Sequence, residues 1–281
     1  MNAKWFHIVL GLVILAAAGA DPQPPKNNGH SPAEQAGMQI LEQNAKKLAH
    51  DYEQGKRQFS VARDKAAGML LSRFEFIEKK LRANTRLPAE LRTAKVKIIT
   101  NEKSAFRANG ALPVSDEMLG PLLEYHEALY KAQLPVAKSY EELFNLYSVK
   151  LKDDSRAQKL TADKEAFDEK IRGHVFQPSN WQGTQSGNNN IPFVLNVEAL
   201  DGNSIKGRIV QDRYPHETVF KAEGLLSGNR VKLQSTQVIQ GGTRMLIFTG
   251  YVMENRIVGQ VVSVGKNGKV FGPSLALLYR R

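Results

Sequence analysis

The chain has 281 residues, 42% of them apolar and 24% charged, the composition of a globular protein of one large or two ordinary domains. Its formal charge of +11 is spread out: residues 34–172 carry 25 Lys/Arg against 21 Asp/Glu, and residues 173–281 carry 12 against 6. Nucleic-acid binding, which needs a concentrated basic face, is not expected, and the absence of cysteine excludes disulfides, thiol catalysis and lipid attachment through an N-terminal cysteine.

The first twenty residues, MNAKWFHIVLGLVILAAAGA, place one lysine before an apolar core and end in Ala18-Gly19-Ala20. Small residues at −3 and −1 fit signal-peptidase cleavage before Asp21, and the apolar stretch is short for a membrane span. The expectation is a periplasmic or secreted bacterial protein with no membrane span after cleavage; the alternative is an uncleaved N-terminal anchor. Residues 21–32 (DPQPPKNNGHSP) read as a flexible linker. Helix is expected to start after Ser31 as N-cap, with Pro32 first and Glu34 in the first turn.

Met38, Leu41, Ala45, Leu48, Tyr52, Gly55, Phe59, Ala62, Ala66 and Met69 recur at steps of three and four, the seam of helices coiled about one another. The stripe then shifts to Leu70, Phe74, Ile77 and Leu81, so the first helix spans 33–83. Gly55 weakens a helix, which implies a partner backbone close to it. Pro88 opens a second helix that stops at Asn109-Gly110. Ser115 or Asp116 caps a third, carrying Leu119, Leu122, His126, Leu129, Gln133, Val136, Tyr140, Leu143 and Tyr147, with a kink expected at Pro135. A last pattern follows Asp153-Asp154, read as a solvated turn or cap, and ends at Gly173. The helical region, 33–173, is expected to be a long antiparallel hairpin or three-helix coiled-coil bundle that also offers a seam for homo-oligomer formation.

After residue 173 the period changes to two. Strand-sized runs alternate with LDGNS, LSGNR, QGGT, MENR and GKNGK, the chemistry of hairpin turns. The fold class is therefore α+β: helices followed, over 174–281, by a seven- to eight-stranded antiparallel up-and-down meander or barrel. GLLSGNRV at 224–231 and GYVMENRI at 250–257 nearly repeat, with Gly224 and Gly250 lying 26 positions apart. The repeat reads as equivalent strand–turn–strand corners, with each Asn taking a positive φ. Strands 244–252 and 256–264 are apolar on both faces: Leu246, Phe248 and Val252 on one, Met245, Ile247, Tyr251, Val258 and Val262 on the other. The second face is covered by the helices or binds something; intramolecular cover is the expectation.

NWQGT opening a meander with repeated glycine corners resembles the small β-barrels of the lipocalin and avidin type. The whole arrangement resembles uncharacterised secreted bacterial proteins that pair a helical coiled-coil region with such a meander. The resemblance implies that Trp181 meets Arg280 or Arg281, although the order here is Trp181-x-Gly183 rather than Gly-x-Trp.

No serine elbow, phosphate loop or metal-ligand cluster is present, so neither enzymatic activity nor a cofactor or metal is expected. His126, between Glu124 and Glu127, reads as a buried, hydrogen-bonded histidine, since Glu124 and His126 point to different faces. The expected function is a non-enzymatic binding or scaffold protein whose helices present the barrel to an envelope protein, a glycan or an apolar or anionic ligand. The candidate ligand-binding residues are Trp181, Arg208, Arg230, Tyr251 and Arg256, with Arg230 and Arg256, at equivalent corners of the repeat, suited together to an anion. The competing expectation is a barrel-based hydrolase of an envelope or extracellular polymer, using carboxylates among Glu198, Asp212, Glu217 and Glu223.

Overall fold

The structure is a computed structural model that describes residues 31–171, 178–186, 191–213, 216–242, 244–253 and 255–281. The signal segment, the linker up to residue 30 and the helix end at Gly173 lie outside these residues. The chain divides into two compact units, Met1–Ile40 and Leu41–Arg281.

In the first unit, the Ser31 amide donates to Glu34 Oε2 (2.7 Å) and the Glu34 amide to Ser31 Oγ (3.3 Å). This is a reciprocal capping box for α1 (Pro32–Ala83). In the second unit α1 is the common partner of α2 (Ala89–Asn109), α3 (Leu119–Asn145) and α4 (Asp154–Ile171). Leu70, Phe74 and Leu81 of α1 pack with Val96, Ile99 and Phe106 of α2. Tyr52 and Phe59 pack with Val136 and Leu143 of α3 and Leu160 of α4. A Cβ on Gly55 would stand 3.3 Å from Val136 Cγ2 and 3.6 Å from Val136 Cα, which is why the seam carries glycine there. The seam passes from Ala66 directly to Leu70; Met69, expected inside, is 50% exposed. A straight helix drifts away from a 3.5-residue repeat, so a neighbouring row turns toward the partner after several heptads.

Among the described residues the helical region has four α-helices, with α2 and α3 lying along successive parts of α1. α3 continues through Pro135 into a π-helical turn, Leu146–Lys150. Asp153 caps α4, its Oδ1 accepting the Arg156 amide at 2.9 Å.

Eight antiparallel strands close a barrel in sequence order: β1 (Asn180–Gln185), β2 (Ile191–Asp201), β3 (Ser204–Arg213), β4 (His216–Ser227), β5 (Arg230–Gln240), β6 (Met245–Met253), β7 (Arg256–Val264) and β8 (Val270–Arg280). β8 pairs back onto β1, with Trp181 opposite Arg280. Inward side chains, among them Trp181, Phe193, Leu195, Ile209, Phe220, Leu233, Phe248 and Leu278, form one buried cluster. Polar side chains join it farther along the strands: the Gln211 amide donates to Gln185, and Ser235 Oγ accepts the Leu246 amide at 2.7 Å.

The repeat is a device of barrel corners. Asn203, Asn229 and Asn255 follow at 26-residue steps. Their carbonyls accept the amides of Leu226 (2.8 Å), Val252 (2.8 Å) and Arg280 (2.7 Å), so each turn extends the next ladder by one bond. One detail differs from the sequence reading. The positive φ belongs to Gly202 (55°) and Gly228 (59°), not to the asparagines. Glycine at the first central position makes these type II′ turns, whose twist matches the strands.

Candidate binding cleft at the helix–barrel junction

The outer face of β6–β8 is apolar because α3 lies on it. Leu119 and Leu122 of α3 share a buried cluster with Met253, Val258 and Leu277. Intramolecular cover is therefore what the two-faced strands signalled, at least along Tyr251, Met253 and Val258.

Around this apolar contact stands a set of polar ones. His126 is 7% exposed, its ring stacked on that of Tyr251 (centroids 5.4 Å, 16° between planes), and its Nε2 is 3.0 Å from Met253 Sδ. A thioether only accepts, so Nε2 carries the proton. Burial, and then the Arg256 charge, lower the His126 pKa to about 4, leaving the imidazole neutral. The Tyr251 hydroxyl donates to Glu127 Oε2, and burial followed by that carboxylate pushes its pKa up. Arg230 Nε stands 3.8 Å from the same oxygen, with its guanidinium 4.5 Å above the Tyr130 ring. Arg256, 7% exposed, donates through Nη2 to the Pro113 carbonyl at 2.7 Å. The Tyr251 phenol is harder to ionise than usual, and the imidazole Nε2 of His126 faces sulfur.

Beside this contact lies a cleft of about 760 Å³. α1 contributes Phe59 and Arg63, the α2–α3 loop contributes Gly110–Leu112 and Val114, and α3 contributes Tyr125, His126, Leu129, Tyr130 and Gln133. The barrel corners add Asn229, Met253, Asn255, Arg256 and Tyr279. Among the described residues, two guanidinium groups, three phenol rings, one phenyl ring, an imidazole and three amides line it, and no carboxylate does. Arg63 is near enough to Tyr125 to oppose the rise that burial causes in that phenol's pKa.

Of the residues singled out in the sequence, Arg230, Tyr251 and Arg256 come together under α3. Trp181 lies inside the barrel, and Arg208 lies on the outer face of β3, its Nε 2.7 Å from Glu198 Oε1. The five do not form one site. Glu198, Asp212, Glu217 and Glu223 are all exposed, with Asp212 opposite Glu217 on β3 and β4. His126 is buried and hydrogen-bonded as expected, and Glu124 points elsewhere, its Oε2 3.0 Å from Arg73 Nη2. Sequence reasoning passed over Arg63, Tyr125, Tyr130, Asn229 and Asn255 as cleft residues. The available signal was the excess apolar face on β6 and β7, which requires a neighbouring element. Among the described residues no group of three or more His, Asp or Glu could hold a metal ion, and no helix is long and apolar enough to cross a membrane. No protein-family model, no curated protein and no solved structure matches this chain.

Proposed function

We propose that the chain is an exported, non-enzymatic binding protein in which the helical region, 33–173, holds the β-barrel, 174–281, and the two enclose one ligand cleft. The observation that carries this reading is the cleft of about 760 Å³ at their junction, combining aromatic faces with fixed donors. Small-molecule sites are concave, apolar for the most part, and oriented by a few convergent polar groups. The barrel interior contributes a packed apolar cluster instead. Export follows from the Ala18-Gly19-Ala20 site, and the partner or ligand is a component of the cell envelope. Val61, Met69 and Phe76 on α1, exposed by 69, 50 and 60%, favour assembly through the helices as well.

The test uses the full chain recovered from its own envelope fraction. Native mass spectrometry should show a retained small molecule, or uptake of one from an envelope extract. Ala111→Trp, in the exposed loop lining the cleft, should abolish it while the thermal midpoint holds. An extract ligand retained unchanged by the variant, or no ligand at all, would refute the cleft as the binding place.

A further inference from the structure

The even balance of charge along the helices conceals a local excess. Residues 79–97, which close the hairpin of α1 and α2, hold seven Lys/Arg and a single acid, Glu90. The remainder of 34–172 is then slightly acidic, 18 Lys/Arg against 20 Asp/Glu. At 1.5 Å per residue the seven cations all lie within roughly 12 Å of the turn, measured along the helix axes. Arg82 pairs with Glu78 at 2.7 Å and Lys95 with Glu117, while Arg92 donates to the Asn84 carbonyl at 3.2 Å. Lys79, Lys80, Arg86 and Lys97 are exposed and make no ion pair among the described residues. With Glu78, Glu90 and Glu117 all counted against the seven cations, a net charge of +4 remains. The helix dipole accounts for Lys80 and Arg82 in the last turn of α1, but not for Arg86, which stands just before the positive end of α2.

The same tip is apolar where it meets solvent. α2 buries Val96, Ile99 and Phe106, yet Leu91 and Ile98, seven positions apart and so on one face, are 44% and 48% exposed. Ala94, between them on that face, is exposed as well. Cations intermixed with apolar side chains fit a lipid surface: the cations are drawn to anionic headgroups, and the apolar side chains reach the boundary of the acyl chains. A soluble polyanion would take the charge and leave Leu91 and Ile98 in water. We propose that the tip of the α1–α2 hairpin docks on a membrane surface rich in anionic phospholipid. Lys79, Lys80, Arg86 and Lys97 lie over the headgroups, and Leu91 and Ile98 dip between them. The contact is peripheral, and it stands apart from the cleft.

Flotation of the exported protein with lipid vesicles is the test. Vesicles of phosphatidylcholine with about 30% phosphatidylglycerol should bind it at least about tenfold more tightly than pure phosphatidylcholine does. Raising NaCl from 50 to 500 mM should remove most of that preference. The variant Lys79→Gln/Lys80→Gln/Arg86→Gln/Lys97→Gln should keep the thermal midpoint and lose about fivefold in affinity per cation, about a hundredfold or more in all. A matched variant, Lys46→Gln/Lys47→Gln/Arg57→Gln/Lys65→Gln, removes as many exposed cations farther along α1. It should bind within about twofold of the wild type, since charges beyond a Debye length are screened. Leu91→Trp should shift its added emission to the blue on the anionic vesicles. Equal losses in the two quadruple variants, equal binding to both kinds of vesicle, or vesicle-bound Leu91→Trp with unchanged emission would overturn the proposal. So would tighter binding to a DNA duplex or to polyphosphate than to the anionic vesicles, which would assign the tip to a soluble polyanion.

Discussion

Acidification should loosen the contact between α3 and the barrel through His126. The imidazole is 7% exposed, stacked on Tyr251 and turned to the Met253 sulfur. Among the described residues, the charged and titratable groups about it include Glu127, Tyr125 and Tyr130 on its own helix, Arg63 on α1, and Arg230, Tyr251, Arg256 and Tyr279 on the barrel. Its pKa falls from 6.5 to about 4 in the folded chain, so between these values the unfolded chain binds more protons than the folded one. The stability this group contributes is therefore complete above pH 6.5 and is lost as pH falls toward 4. At 1.36 kcal/mol per unit of pKa the full span is roughly 3 kcal/mol, most of it lost by pH 4.5. For a chain of this size that corresponds to roughly 5–10 °C in thermal midpoint. The assay is the midpoint of the full chain and of His126→Phe from pH 7.5 to 4.5. Phenylalanine keeps the stacking and cannot be protonated, so the wild type should lose this increment and the variant should not. At pH 7.5 the variant should cost no more than about 1.5 kcal/mol, the scale of one lost hydrogen bond. Parallel pH slopes in both proteins would refute the assignment of the acid-sensitive contact to His126.

Other outcomes follow from the same packing. Gly55→Val should lower stability by about 1–3 kcal/mol in urea unfolding, because its branched carbons enter the space of Val136; an unchanged or raised midpoint would mean that α1 and α3 are not in close contact there. Tyr251→Phe removes the donor to Glu127 and should cost about 1–2 kcal/mol, with no further loss on adding Glu127→Gln; additive losses would separate the two residues. A fragment of residues 175–281 should fold cooperatively on its own apolar cluster but bind a hydrophobic dye at the bared face of Met253, Val258 and Leu277; a fragment without a cooperative transition would place the region boundary elsewhere. The exported protein should begin at Asp21 on N-terminal sequencing, and a chelator should leave its thermal midpoint unchanged.

How much of this was legible in the chain differs from element to element. The helix from Pro32, the stop at Gly110, the Asp153 cap and the eight strands come from local causes: apolar period, capping oxygens and turn glycines act over a few residues. The 26-residue recurrence of Asn203, Asn229 and Asn255 is local as well, since a turn and its two strands fix it. Even the need for a cover on β6 and β7 was visible, because a strand apolar on both faces is buried on both. Which element provides that cover was not visible. Leu119, Leu122 and His126 sit on α3 with the same spacing as residues that face α1, and no periodicity tells one partner from another. Tertiary structure alone decided that choice, and with it the fate of the arginines. Arg230 and Arg256 have the same sequence context at equivalent corners, yet one stacks on Tyr130 beside Glu127 and the other is buried on the Pro113 carbonyl. The difference arises from the path of α3 across the barrel, set by contacts between residues more than a hundred positions apart. Sequence pattern carries the faces and corners of such a protein; the cleft exists only where two separately patterned regions meet.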